Sequence, residues 1–156
     1  MRYFCFLLLF LAGCGTARSA APSTVLDADG YAAEVRSTYP KMRWPADVRP
    51  DLDALITATT PPPDEAIQPG LSRQVLGVVN TCAWYRSWDA ATGRGDAEQA
   101  KAGLRVITDV VTQYPPEVDR AGRDYVRDAA AHAADGNPDL VRDYVEANCF
   151  DTKWSS

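Results

Sequence analysis

The chain has 156 residues, 46% of them hydrophobic and 24% charged, with 16 basic against 21 acidic side chains and a net charge of −5. That length is enough for one domain with its own core. An acidic balance with no run of lysine and arginine argues against nucleic acid, which demands a basic face to displace counterions.

At the N-terminus, Arg2 supplies a positive n-region and Tyr3 to Phe10 an apolar core. Leu11-Ala12-Gly13 then forms a small-residue cleavage site before Cys14. The apolar core is about half the roughly 20 residues that a transmembrane helix needs, so it is a poor permanent span. Leu11-Ala12-Gly13-Cys14 resembles the lipobox of bacterial lipoproteins; the alternative is a cytosolic chain with an apolar N-terminus. The resemblance implies that residues 1–13 are a signal peptide that is cut away, and that the Cys14 thiol receives a diacylglyceryl group. Two acyl chains on one cysteine would hold the protein stably at a membrane, since each buried methylene contributes about 0.8 kcal/mol. Loss of residues 1–13 leaves 15 basic against 21 acidic side chains, so the lipid rather than charge would do the anchoring. Gly15 stands where some Gram-negative lipoproteins carry an aspartate for inner-membrane retention. The expected location is the cell membrane on its extracytoplasmic side, or the outer membrane of a two-membrane cell.

Residues 14–26 read as a lipidated N-terminus and flexible tether, whose small polar run from Gly15 spans very roughly 20 Å as a coil. Residues 27–156 then read as a single domain. Ala28 to Thr38 predicts a short helix with Tyr31 and Val35 on one face, limited by Pro40. Met42, Trp44 and Pro45 lie in an irregular connection. Asp51 to Ala58 predicts a second helix with Leu52, Leu55 and Ile56 at helical spacing, and Pro61-Pro62-Pro63 breaks it. From Pro69 to about Ala91, Leu71, Val75, Val78, Cys82 and Tyr85 recur at steps of three and four. Leu76, Val79 and Ala83 widen that stripe, so this helix should be central and buried on more than one side.

Gly93 and Gly95 end the central helix, and Asp96 with Gln99 resembles a capping box. The next helix carries Ala100, Leu104, Ile107, Val111 and Tyr114 until Pro115-Pro116 stops it. Another starts near Glu117, shows Val118, Ala121, Tyr125, Ala129 and His132, and closes at Gly136. Asn137-Pro138 predicts an N-cap with proline at the first helical position. Leu140, Val141, Tyr144 and Val145 should face inward along this last helix. Strand signals are scarce and no period of 20–50 residues repeats, so the expected fold is an all-α bundle of five or six helices.

With Cys5 in the signal peptide and Cys14 modified, Cys82 and Cys149 remain, an even pair that an oxidising compartment would join. Two separate buried thiols are the alternative. Cys82-Ala83-Trp84-Tyr85-Arg86-Ser87-Trp88, with Gly136-Asn137-Pro138 and Tyr144-Val145-Glu146-Ala147-Asn148-Cys149 downstream, is similar to a pattern in small secreted actinobacterial proteins of unknown function. That resemblance implies the helical fold and the cysteine pair, and no activity.

Signals for chemistry are weak. His132 is the only histidine, too few nitrogen ligands for a zinc site, and its alanine-rich helix makes it a packing residue. No Gly-x-Ser-x-Gly elbow and no complete phosphate loop is present. Asp27-Ala28-Asp29-Gly30 has the wrong spacing for a calcium loop. Asp124 and Asp128 lie four apart and could do acid–base work. The opposite-sign pairs Asp119–Arg123, Arg120–Asp124 and Arg142–Glu146 favour a solvated, charge-laced face instead. Trp84 and Trp88 share a helix face and either pack against a neighbour or form an exposed binding platform. The expected function is a binding or structural module, anchored through Cys14, that meets an envelope protein or glycan and needs no cofactor or metal. The alternative is a small carboxylate-dependent hydrolase.

Overall fold

The computed structural model describes residues 25–111, 120–149 and 154–155. The Leu11–Cys14 motif, most of the tether, Tyr114, Pro115-Pro116, Glu117 and Val118 lie outside them. Six α-helices occur among the described residues: α1 (Ala28–Thr38), α2 (Leu52–Thr59), α3 (Leu71–Gly93), α4 (Ala97–Val111), α5 (Arg120–Ala134) and α6 (Asp139–Asn148).

Short polar side chains set most of the helix starts, because the first backbone N–H groups of a helix lack internal partners. The Asp27 carboxylate accepts from the Gly30 N–H at 2.8 Å, Asp51 from Ala54 at 2.8 Å, and Asp96 from Gln99 at 3.0 Å. Asp27 therefore works as a helix cap. The Asp96 box is half formed, since the Gln99 side chain turns away to Asp47 and Arg94 rather than back to the Asp96 N–H. Asn137 Oδ1 accepts from the Asp139 N–H at 3.1 Å, which places the start of α6 one residue later than the proline pattern predicts. Gly95 and Gly136 take positive φ values of 74° and 88° in the turns before α4 and α6, where a side chain would be strained.

Helix α3 is the spine, and two hydrophobic clusters form on it. Around its N-terminal half, Leu76 and Val79 pack with Tyr31 and Val35 of α1, Leu55 and Ile56 of α2, and Tyr39 and Ile67 of the connections. Around its C-terminal half, Cys82, Tyr85, Trp88 and Ala91 pack with α4, α5 and α6. The bond between Cys82 and Cys149 spans 67 positions with the Cα atoms 5.6 Å apart, well inside the usual range of about 4.4–6.8 Å. It ties the end of α6 to the spine.

Three features depart from the sequence expectations. Among the described residues two strands occur, β1 (Arg49–Pro50) and β2 (Trp154–Ser155), paired antiparallel with Arg49 opposite Ser155. Leu26 belongs to the folded domain rather than to a tether, for its N–H donates to the Ile67 carbonyl at 2.9 Å and its side chain packs on the N-terminal cluster. The buried face of α5 is Val126, Ala129, Ala130 and Ala133, so of the expected Ala121–Tyr125–Ala129–His132 stripe Ala129 is buried and the helix is rotated away from the rest. Tyr125 and His132 are exposed, and His132 is not the packing residue its surroundings suggested.

Candidate functional site

Small side chains create a concavity among the described residues. On α4, positions 97, 100, 101, 104, 105 and 108 recur at helical spacing, so they share one face. That face meets α5 where the latter is almost all alanine, and alanine brings too little volume to fill the space between two helix axes. The result is a groove of about 760 Å³ between α3, α4, α5 and the start of α6. Small-molecule sites typically enclose about 300–1,000 Å³.

The floor of the groove is apolar. Trp88, Leu104, Ala100 and Ala133 line it and are themselves buried, with Trp88 only 6% exposed. The rim is basic: Lys101 and Arg105 from α4, Arg127 from α5 and Arg142 from α6, against a single lining carboxylate, Asp89. This is an inversion of the chain's overall sign. Arg127 reaches Asp124 at 3.3 Å and Arg142 reaches Asp139 at 3.7 Å. Each is an exposed pair within its own helix, which contributes little and is easily exchanged for a ligand anion. Lys101 and Arg105, one turn apart on the same wall, make no ion pair among the described residues.

The expected site residues distribute differently. Cys82 and Cys149 are joined. Trp88 is buried against α4, where Gly103 brings its Cα close enough that a Cβ there would lie 3.7 Å from the Trp88 Cβ. Trp84 is half-buried, and its indole N–H donates to the Arg43 carbonyl at 2.9 Å. Trp88 thus packs in the core, while Trp84 is held partly exposed beside the Arg43 loop. Trp88 does lie on the groove floor, which spacing alone did not indicate. Asp124 and Asp128 are exposed on α5, and Asp124 pairs with Arg127 rather than with Arg120. Arg142 likewise pairs with Asp139 rather than with Glu146.

Buried phenols complete the picture. The Tyr85 hydroxyl donates to the Val126 carbonyl at 3.0 Å, and its ring meets Tyr144 edge-on with centroids 5.4 Å apart. Burial pushes its pKa well above the ordinary tyrosine value, and the neighbouring Tyr144 and Tyr125 push the same way. Tyr31 is raised as well, by burial, with the Thr59 side chain opposing in part. Both stay neutral and serve the core. Among the described residues no group of three or more His, Cys, Asp or Glu side chains is placed to hold a metal, and no helix is long and apolar enough to cross a membrane.

No family model, curated protein or solved structure matches the chain.

Proposed function

We propose that the chain is a lipid-anchored, extracytoplasmic binding domain, held at the membrane through Cys14, with the groove between α3, α4, α5 and α6 as its ligand site. The observation that carries the binding assignment is the groove itself: a buried apolar floor carrying Trp88 and Leu104 beneath a rim of four cations. Convergent polar groups over an apolar concavity are the usual form of a small-molecule site. The Cys82–Cys149 bond supports the extracytoplasmic part, because disulfides persist in oxidising compartments.

Two variants test the two halves of the proposal separately. Cys14→Ser should move the protein out of the membrane fraction or block its maturation; normal pelleting together with normal palmitate incorporation would overturn the anchor. Ala131 lines the groove and is exposed, so Ala131→Phe fills the site without entering the core. Native mass spectrometry of protein released from envelopes should show a bound small molecule on the parent chain that the Ala131→Phe chain lacks. Equal occupancy of the two would remove the groove from the reading.

A further inference from the structure

We infer that the groove takes a single-chain anionic amphiphile, with the apolar chain on the floor and the acidic head between Lys101 and Arg105. The inference rests on the groove being the ligand site and adds the chemistry of the ligand.

Along α4 the lining runs from Ala97 to Thr108, a rise of about 16 Å. An extended hydrocarbon chain laid along that face meets Ala100 and Leu104 of α4, Trp88 of α3 and Ala133 of α5, all of them buried and apolar.

Charge decides the head. Four cations line the groove against Asp89, and with Asp124 and Asp139 beside Arg127 and Arg142 the local balance is still positive, so a ligand cation would be repelled. A phosphate or carboxylate instead meets Lys101 and Arg105 on one wall with Arg127 and Arg142 across the mouth. Lys101 and Arg105 have no competing carboxylate to displace among the described residues. The four cations stand on exposed rim positions while the floor is buried, which gives the ligand the same order: polar end at the mouth, apolar body below. Basic side chains suit this arrangement because their stems cover apolar surface while the charge stays wet.

Calorimetric titration of the full chain with dodecyl phosphate, dodecyltrimethylammonium and inorganic phosphate, each below any micelle concentration, tests this. Dodecyl phosphate should bind at least tenfold tighter than dodecyltrimethylammonium, and inorganic phosphate alone should give no saturable heat. Lys101→Glu/Arg105→Glu, two exposed changes, should erase or reverse the preference. Ala131→Phe should abolish binding of both amphiphiles. Equal affinity for the two amphiphiles, with Ala131→Phe still blocking them, would overturn the anionic head while the groove stands. Dodecyl phosphate binding that Ala131→Phe leaves unchanged would overturn the groove reading as well. Saturable binding of inorganic phosphate as tight as that of dodecyl phosphate would show that the apolar floor contributes nothing.

Discussion

Around the N-terminal half of α3 the core is closed by large side chains on short elements; around its C-terminal half the seam between α4 and α5 is lined by small side chains on longer ones. The first region uses Tyr31, Tyr39, Leu55 and Ile67, carried by α1, the turn after it, α2 and a loop. Its irregular backbone needs side-chain partners, since an unpaired buried carbonyl or N–H costs about as much as a lost hydrogen bond. Tyr39 donates to the Pro50 carbonyl, the Trp44 indole to the Tyr39 carbonyl at 3.0 Å, and the Asn80 side-chain amide to the Arg43 carbonyl at 2.9 Å. The second region has large members too, Tyr85, Trp88 and Tyr144, but where α4 meets α5 it is lined by Ala100, Ala129, Ala130 and Ala133. Helices satisfy their own backbone there and need few polar ties. Alanines on regular chain leave the groove.

If that contrast is right, the C-terminal region depends heavily on Trp88. Trp88→Ala should cost about 3–5 kcal/mol in urea unfolding, as for other buried aromatic truncations. A loss below about 1 kcal/mol would mean that the alanine helices hold together without their anchor. The covalent tie comes next. Cys82→Ser/Cys149→Ser should lose about 4 kcal/mol if the bond acts by closing the unfolded chain's loop. Hydrogen exchange should then accelerate in α6 before it does in α1 or α2; uniform acceleration would show that the two regions unfold as one.

Smaller effects sharpen the picture of the polar ties. Trp84→Phe keeps an aromatic ring but drops the bond to the Arg43 carbonyl, and should cost about 1 kcal/mol. Asn80 Nδ2 donates to the same carbonyl at 2.9 Å, so Asn80→Ala combined with Trp84→Phe should be non-additive by at least about 0.5 kcal/mol. Strict additivity would show that the shared acceptor is not a unit. The smallest effect is one of pH. Tyr85 has a raised pKa in the folded protein, so the unfolded chain releases that proton first. Its stabilisation is complete below pH of about 10, the unfolded tyrosine value, and is lost as pH rises further. Thermal melts should therefore fall above pH of about 10, and Tyr85→Phe should make that fall shallower. An unchanged alkaline slope would remove Tyr85 as a cause.

Much of this architecture is legible in the residues, and the reasons differ by region. The central place of α3 is readable because apolar residues fall on more than one of its sides; its innermost line is not, since Leu71, Val75 and Val78 are half-buried while the polar Ser72, Asn80 and Thr81 are buried. Pairing of Cys82 with Cys149 follows from elimination once the other two cysteines are assigned elsewhere. The rotation of α5 is not readable. Its run Ala129-Ala130-Ala131-His132-Ala133-Ala134 presents nearly the same surface on every side, so no face outweighs another. Tyr125 then draws the expected stripe toward itself, whereas its hydroxyl reaches the Leu140 carbonyl at 3.2 Å from an exposed position. Strands β1 and β2 are two residues each, one containing proline, and they pair across most of the chain. No local period can announce that. The groove is equally hidden, because a void is a property of what two distant helices both lack. Its one local trace is Lys101 and Arg105 one turn apart above Ala100 and Leu104.

The Arg43 carbonyl, which accepts from Asn80 and Trp84 one turn apart on α3, has a consequence for how the protein tolerates change. A main-chain acceptor is supplied by every residue type, so the loop's docking does not depend on which side chain stands at position 43. Only the guanidinium, 6.0 Å from the Trp84 ring centroid, would be lost on replacement, a contact of about 0.5–1 kcal/mol at an exposed site. The address is written on the helix and merely read by the loop. A library randomised at 43 should therefore yield mostly folded protein, while one randomised at 80 should not.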